Sequence, residues 1–235
     1  MSIVFACIAP HGDMDLDPTL RAAMEELGRR FDAAAPDVAV VVTPHNVHVD
    51  GHFGVITSSR VGEFETDREA AQALLRADLP ILGVSYGGND AAQVEMPIDW
   101  GTEVPLQFMR AAKVVVVAPA RDLPFEEHVR LGEAVAALPG RVALIASADN
   151  GHAHDPDGPY GFHPAAGRYD ARLQEILASE RLDFAPLAEL VDDGKADSLW
   201  QLLVLQGAVG ETARADVLAY AAPTYYGMLV AEVTV

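Results

Sequence analysis

Three histidines follow apolar runs of the chain, at positions where a side chain can carry out chemistry at the edge of a sheet. They are His11, His45 and His152, and the apolar runs before them are 3–9, 38–43 and 142–146. Uninterrupted apolar runs of this length are typical of parallel strands that are covered on both faces. Ligands of open α/β sheets bind in the crevice beyond the carboxyl ends of such strands. The spacing therefore predicts a metal or catalytic centre that contains imidazoles.

A mononuclear metal centre of this kind also needs a carboxylate. Two histidines and one carboxylate on one face of an octahedral ion leave three positions open, which is the arrangement of non-haem Fe(II) oxygenases. With His11 and His45 as the imidazoles, we choose Asp197 as the carboxylate, because it begins an apolar helical segment late in the chain. Asp13 and Asp149 are weaker alternatives. An acid at a helix start is also explained simply by capping, and Zn(II) or another divalent metal is the alternative to Fe(II).

The segment 150–169 has four glycines and three prolines, and it reads as a long loop. Loops of such length in a compact domain are usually functional. His152 lies near its start, where an imidazole beside a bound substrate can transfer protons near neutral pH. Tyr160 and His163 in the loop, and Tyr225 later in the chain, are candidates to line the substrate pocket.

Two further histidines are predicted to have no chemical role. His128 falls in an amphipathic helical segment, and His154 falls in the glycine-rich loop. We expect both side chains to be exposed to solvent.

A serine motif offers a different chemistry. Residues 83–87 match the G-x-S-x-G pattern of a hydrolase nucleophile elbow, and Asp149 and His152 follow in the chain order of a Ser-Asp-His triad. The elbow requires a helix directly after the serine, whereas Pro97 leaves room for only a short one. A serine hydrolase that uses Ser85 is therefore the third interpretation of the function.

Helical periodicity fills the stretches between the predicted strands. Apolar side chains recur at helical spacing near 20–31, 70–77, 125–136, 173–177 and 199–207, and further strands are predicted at 53–57, 81–85, 114–118 and 227–235. Strands that alternate with helices indicate βαβ units. No break in composition divides the chain. We predict one α/β domain over residues 1–235, with a central, mostly parallel or mixed β-sheet and helices on both faces.

Composition and charge argue against several partners. The formal net charge of −19 argues against nucleic acid, because a phosphate backbone requires a basic surface. No stretch approaches the roughly 18 apolar residues of a membrane helix, and no basic segment precedes the first apolar run, so we expect neither a membrane span nor a signal peptide. Cys7 is the single cysteine, which fits a cytoplasmic location.

These segments together resemble the class III extradiol ring-cleavage dioxygenases, the LigB-type superfamily of the protocatechuate 4,5-dioxygenase catalytic subunit. The resemblance covers most of the chain and depends on the order and spacing of short motifs. They are Pro10-His11-Gly12, Thr43-Pro44-His45, residues 99–106 (DWGTEVPL), residues 147–152 (SADNGH), and residues 197–200 followed by Gln206-Gly207-Ala208. The resemblance implies that His11 and His45 bind iron, that Asp197 replaces the usual third ligand, and that His152 is the acid–base residue.

Two departures from the family pattern bear on the reaction. The third ligand of the family is usually a glutamate, which is one methylene longer than Asp197. Trp100 stands where the mid-chain motif commonly has a histidine, and we place it at the substrate pocket. The superfamily also contains Memo-type proteins, which share the sheet and some metal-type residues without an established ring-cleaving role.

The function predicted from the sequence is a non-haem Fe(II)-dependent extradiol dioxygenase that cleaves a catechol-type ring with O2. A Memo-like metal-binding or interaction protein is the alternative. The expected partners are a small aromatic diol and O2. A homo-oligomer is the default expectation for the assembly. Some members of the superfamily work with a separate small subunit, and this partner is the alternative.

Overall fold

Strands and helices alternate along the chain in the computed structural model, which describes residues 2–86, 90 and 94–234. The strands are β1 (Ile3–Ala9), β2 (Val38–Val42), β3 (Phe53–Ile56), β4 (Arg60–Val61), β5 (Phe64–Thr66), β6 (Ile81–Val84), β7 (Glu95–Met96), β8 (Lys113–Ala118), β9 (Val142–Ser147), β10 (Arg214–Ala221) and β11 (Met228–Thr234). The helices are α1 (Pro18–Ala34), α2 (Arg68–Leu75), α3 (Trp100–Leu106), α4 (Phe125–Ala136), α5 (Pro164–Leu177), α6 (Ala188–Gly194) and α7 (Leu199–Val209).

Four adjacent parallel strands form the middle of the sheet and end at the same edge. Their order is β1, β9, β2 and β8, and each is parallel to its neighbour. Their residues are almost all buried, as expected for strands that are covered on both faces. Because β9 lies between β1 and β2, the turns after β1 and β2 flank the turn after β9. This order decides which strand-end side chains can meet.

Helices cover both faces of the sheet, because successive residues of a strand point to opposite sides. In β1, Phe5 and Cys7 pack in one core with α1 and α3. Ala6 and Ile8 pack in the other core with α2, α4, α5 and α7. The predicted single-domain α/β fold with helices on both faces is therefore confirmed.

Antiparallel pairs at the sides of the four central strands make the sheet mixed. β11 pairs antiparallel with both β1 and β10, and β3 pairs antiparallel with β8. The sequence pattern did not predict β4, β5, β7 or β10. The first three have only two or three residues, too few to show a period, and most of β10 is not buried.

The prediction that His128 lies at the surface is wrong. Its side chain is fully buried, and its ring packs edge-on against Phe53 with ring centroids 4.9 Å apart. The buried face of α4 passes through His128, Leu131 and Val135. The ring can be buried because Nδ1 lies 3.1 Å from the carbonyl oxygen of Pro124, one turn earlier in the chain.

The most apolar helix is α7, in which all but one of the eleven residues are buried. Its apolar residues lie on nearly every side of the helix, which explains this burial. Among the residues that the structure describes, no helix combines the length and the apolar character needed to cross a membrane.

Candidate metal centre

His11, His45 and Asp197 come together beyond the carboxyl ends of β1 and β2. The two Nε2 atoms are 2.9 Å apart, and Asp197 Oδ2 lies 3.9 Å from His11 Nε2 and 3.7 Å from His45 Nε2. Atoms bound at about 2.1 Å to one ion are about 3.0 Å apart at right angles and about 3.6 Å apart at 120°. The three side chains are therefore spaced so that one metal ion can contact all of them.

The sheet order explains how distant parts of the chain meet here. Neighbouring strands are about 4.8 Å apart, so β1 and β2 stand about 10 Å apart across β9. The imidazoles of His11 and His45, one from each outer turn, meet across this distance beyond the carboxyl end of β9. Asp197 enters from the short connection between α6 and α7.

The hydrogen bonds of His11 determine its tautomer. The Ser147 hydroxyl donates to the carbonyl oxygen of Gly101, so its oxygen must accept from His11 Nδ1, which lies 3.0 Å away. Nδ1 therefore carries the proton, and Nε2 presents its lone pair toward His45 and Asp197. A metal-binding histidine commonly has its other ring nitrogen fixed by such a partner.

The turn that carries His45 is fastened to the start of α3. Asp99 caps this helix and accepts a hydrogen bond from the Thr43 hydroxyl at 2.6 Å. The Trp100 ring stacks on the His45 ring, with centroids 4.2 Å apart. Gly101 is required for this close approach, because a Cβ there would lie 2.3 Å from Thr43 Oγ1.

Burial controls the charge of the cluster. The pKa of His11 is lowered to about 3, mainly by burial and secondly by the charge of His152. The pKa of His45 is lowered to about 4, mainly by burial and secondly by the charge of His11. Both imidazoles are therefore neutral near pH 7, the form that binds metals.

The carboxylate in the cluster needs a cation. Burial first, and the charge of Asp149 second, raise the pKa of Asp197 well above its usual range. Asp197 Oδ1 is buried and has no hydrogen-bond partner among the described residues. A divalent cation held by Asp197 Oδ2 and the two Nε2 atoms would stabilise the ionised form of this buried carboxylate, so the donor set fits a metal ion.

The two alternative carboxylates have other contacts. Asp149 Oδ1 accepts the backbone N–H of His11 at 3.1 Å, and its Oδ2 lies 3.5 Å from His11 Nε2. Burial raises the pKa of Asp149 to about 7. Asp13 instead caps the short 3-10 turn Met14–Leu16. Asp149 therefore stands beside the cluster, and Asp13 is used for the local backbone.

His152 faces the same cavity from the loop after β9. Its Nδ1 lies 2.7 Å from the carbonyl oxygen of Asn150; a carbonyl can only accept, so Nδ1 carries the proton and Nε2 is free to act as a base. Its ring lies among Tyr160, Tyr225 and Tyr226, with centroids 6.2, 6.0 and 5.7 Å away. Burial lowers the pKa of His152.

Asp170 on α5 holds the loop that carries His152. Its carboxylate accepts the Gly151 N–H at 2.8 Å, His154 Nε2–H at 2.8 Å and the Tyr220 hydroxyl at 2.7 Å. The prediction that His154 is exposed is therefore wrong, because its side chain is only 16% exposed and is paired with Asp170.

A cavity of about 950 Å³ joins these groups. Trp100, Tyr160 and Tyr225 line it, as do the three candidate ligands and His152. His163 is not among the described residues that line it. Its Nδ1 accepts the Ala165 N–H and caps α5 instead.

The serine of the hydrolase motif lies elsewhere. Ser85 is exposed and is not one of the described residues that line the cavity of His152 and Asp149. Gly87, the last residue of the motif, lies outside the described residues.

Three functional candidates were not found from the sequence. Ser147 orients His11, Asp170 supports the His152 loop, and Arg121 lines the cavity. Arg121 had a usable signal, because it follows the apolar run of β8 as His11 follows that of β1. Asp170 had only a weak signal, an acid on the buried side of a helix.

Comparisons with known proteins indicate the family of the chain. A family model described as the catalytic LigB subunit of aromatic ring-opening dioxygenase matches residues 2–231. The chain belongs to this LigB family. The family predicted from the motifs is therefore confirmed, and membership places the protein among dioxygenase-type proteins.

Individual relatives of the chain are distant. It is similar to Protein CA_C1420 of Clostridium acetobutylicum, with 24% identity over 179 residues that cover 66% of this chain. The chain spans 38% of the length of that relative. It is also similar to the crystal structure of uncharacterized protein JW3007 from Escherichia coli K12, with a TM-score of 0.70 and 19% identity over 97% of this chain and 98% of that one. At this identity, the likeness shows the fold alone.

Proposed function

We propose that the protein is a non-haem Fe(II)-dependent extradiol dioxygenase that opens a catechol-type ring with O2. The observation that carries the proposal is the convergence of His11, His45 and Asp197 beside His152 in one cavity with aromatic walls. The family description, a ring-opening dioxygenase, supports the reaction class.

The three ligand side chains have complementary tasks. His11 and His45 offer neutral imidazoles, and Asp197 offers the one negative charge that a ligand set of this type contains. Iron(II) held by these three side chains would bring a catechol and O2 together and activate them for ring opening. Holding the reactants in one cavity removes the entropy cost of a bimolecular encounter.

His152 moves the proton. Since Nδ1 is bound to the Asn150 carbonyl, Nε2 takes the proton from a substrate hydroxyl and later returns it to the opening ring. A positioned acid–base group of this kind contributes roughly 10²–10⁴-fold to the rate. Tyr226, stacked on the His152 ring, keeps the imidazole plane oriented.

Aromatic side chains bind the ring of the substrate. Tyr160, Tyr225 and Trp100 line the cavity and offer flat apolar surfaces, which suit an aromatic ring better than polar walls. Tyr160 is 57% exposed and Trp100 is 56% exposed, so both have free area for a ligand to cover.

Anaerobic loading with Fe(II), followed by a panel of catechols and O2, tests the proposal. We expect stoichiometric oxygen uptake and a yellow ring-opened product from at least one catechol. His48→Ala is the matched control for substitutions of the cavity histidines, because His48 is an exposed histidine outside the cavity lining. An iron-loaded protein that turns over no member of the panel would contradict the proposal.

A second candidate is a metal-binding or interaction protein without ring cleavage. One observation favours it: Trp100, at the family's histidine position, covers the His45 ring. Metal analysis after loading with Fe(II) or Zn(II) separates the candidates. Zinc retention without turnover, unchanged in Trp100→His, would favour this candidate.

The hydrolase interpretation has a direct test as well. A fluorophosphonate probe should leave Ser85 unlabelled, because no cavity histidine is positioned to activate it.

The homo-oligomer, the separate small subunit and the cytoplasmic location stay predictions.

A further inference from the structure

We infer that Asn150 is a positioning residue, which joins the candidate ligand Asp197 to the proposed acid–base residue His152. The inference rests on the proposed function, because it concerns how the same site is held in place. Asn150 lies in the loop after β9, and its side chain is fully buried.

The two carbonyl oxygens of Asn150 contact the two parts of the site. Its backbone oxygen accepts the His152 Nδ1 proton at 2.7 Å, which orients the imidazole. Its side-chain Oδ1 accepts a hydrogen bond from the Ser198 hydroxyl at 3.0 Å, and Ser198 directly follows Asp197 in the chain. One residue therefore holds both the imidazole and the backbone beside the carboxylate.

The hydroxyl of Tyr169 completes a chain of hydrogen bonds that has one direction. A serine hydroxyl has a single proton, and Ser198 donates it to Asn150 Oδ1. The Tyr169 hydroxyl, 2.9 Å from Ser198 Oγ, must therefore donate to that oxygen. Burial raises the pKa of Tyr169, so its hydroxyl keeps the proton. All three side chains are fully buried.

Ser198 forms this long-range contact instead of a local one. A serine at the start of a helix commonly accepts a hydrogen bond from a backbone N–H of the first turn. Ser198 is the N-cap residue of α7, but its side chain forms no such bond. Its hydroxyl contacts Asn150 instead, 48 residues earlier in the chain. The start of α7 is therefore fastened to the loop of His152.

Two further hydrogen bonds hold the same segments together. Gln201 Nε2, in the first turn of α7, donates to the carbonyl oxygen of Ser147 at 3.1 Å. The backbone N–H of His152 donates to the carbonyl oxygen of Gly194 at 2.7 Å. Hydrogen bonds between buried groups specify a distance and a direction, which apolar contacts do not. The loop after β9 and the start of α7 are therefore held as one unit.

The position of Asp197 depends on this unit. Its Oδ1 has no hydrogen-bond partner among the described residues, so the backbone around it must hold the carboxylate toward the two histidines. The contact between Ser198 and Asn150 fixes that backbone. Loss of a group that supports a metal ligand typically weakens metal binding by about 10–100-fold.

Metal affinity, measured without turnover, tests the inference. Co(II) is titrated against a competing chelator in the absence of catechol. We expect Ser198→Ala and Asn150→Leu each to weaken Co(II) binding about 10–100-fold. The double variant should bind no more weakly than either single one, because both changes remove the same hydrogen bond. Tyr169→Phe keeps that bond and should have a smaller effect, about 2–10-fold.

A control on the same helix separates positioning from a general loss of stability. Val204→Ala removes buried apolar atoms from α7 and leaves the hydrogen bonds intact. It should lower stability to urea and keep the wild-type Co(II) affinity. The d–d absorption spectrum of bound Co(II) should change in Ser198→Ala and stay as in wild type in Val204→Ala. Equal losses of affinity in these two variants would overturn the inference, as would additive losses in the double variant.

Turnover at saturating Fe(II) tests the link to His152. Asn150→Leu keeps the backbone oxygen that orients the imidazole, but it no longer fixes the distance to Asp197. We expect this variant and Ser198→Ala to lower kcat about 10-fold, with the KM for catechol nearly unchanged. Val204→Ala should keep both constants.

The outcomes distinguish this inference from the proposed function. Weaker Co(II) binding in Ser198→Ala and Asn150→Leu, with no catechol turned over even by wild type, would keep the positioning role and reject the dioxygenase. Turnover by wild type, with unchanged Co(II) affinity and kcat in both variants, would keep the dioxygenase and reject the positioning role. A wild-type protein that binds neither Co(II) nor Fe(II) would reject both.

Discussion

The two sides of the cavity hold their histidines in different ways. On the strand side, His11 and His45 stand in turns directly after buried parallel strands. On the loop side, His152 stands in a segment without regular structure, and the backbone around it is fixed by hydrogen bonds to Asp170 and to the Gly194 carbonyl oxygen. Strand ends give positions that tolerate little movement, as a metal ligand requires.

The difference suggests a division of tasks. Metal binding needs fixed distances among several atoms, whereas a proton-transfer residue must meet a substrate that enters and leaves. The ends of β1 and β2 cannot move without disturbing the core, whereas the loop 148–163 is held by hydrogen bonds to Asp170 and Gly194 and presents His152 to the open cavity. The following predictions test this division, from the largest expected effect to the smallest.

Substitutions of the proposed ligands, two on the strand side and Asp197 in the connection between α6 and α7, should abolish metal binding. His11→Ala or His45→Ala leaves two protein ligands in the proposed set, which hold Fe(II) weakly, so we expect loss of both metal and turnover. Asp197→Asn should do the same, and Asp197→Glu should keep metal. Metal per chain, measured by mass spectrometry, checks this. If Asp149→Asn loses metal and Asp197→Asn does not, the carboxylate ligand is Asp149.

Substitution on the loop side should affect rate without affecting metal. His152→Ala should keep its iron and bind the catechol, while turnover falls by roughly 10²–10⁴-fold. Metal content and single-turnover kinetics on the same preparation check the result. Loss of iron as complete as in His11→Ala would make His152 a ligand and would remove the proposed division.

The support of the loop can be tested at Gly227, in the turn before β11. In Gly227→Ala the new Cβ would lie 2.0 Å from Asp170 Oδ2. Overpacking of this kind lowers the free energy of unfolding by about 1–3 kcal/mol. We also expect kcat to fall about 10-fold with metal retained, because displacing Asp170 moves the His152 side chain that it supports. Urea unfolding and oxygen uptake measure both effects. Gly167→Ala is the matched control, because nothing lies within 4 Å of its Cβ position; an equal effect there would contradict the explanation.

His128 provides a buried histidine outside the cavity as a reference. Burial lowers its pKa, so below about pH 6.5, the value for an exposed histidine, the unfolded chain binds a proton that the folded chain does not. Stability should therefore fall as the pH drops below that value. His128→Leu should reduce this slope by at most about 1.4 kcal/mol per pH unit. Urea unfolding at pH 7.5 and 5.5 checks it, and an unchanged slope would contradict it.

His128 also shows where sequence analysis of single residues fails. His128 and His11 are both buried histidines, but the sequence analysis assigned only His11 to a site and placed His128 at the surface. Strand-end position is a strong signal because the carboxyl ends of parallel strands converge. Helical phase is a weak one, because a rotation of the predicted apolar face by one residue moves a side chain from solvent to core.

The amino-acid sequence by itself determined the α/β class, the order of the main strands and helices, the family, and the three side chains of the candidate metal cluster. These features follow from local patterns: apolar runs, helical periodicity and short motifs at regular distances. The tertiary structure alone decided that β9 lies between β1 and β2, that Ser147 sets the tautomer of His11, that Asp170 holds the loop of His152, and that Arg121 lines the cavity. The physical reason is that these contacts join residues far apart in the chain, and their existence depends on how the strands are ordered in the sheet.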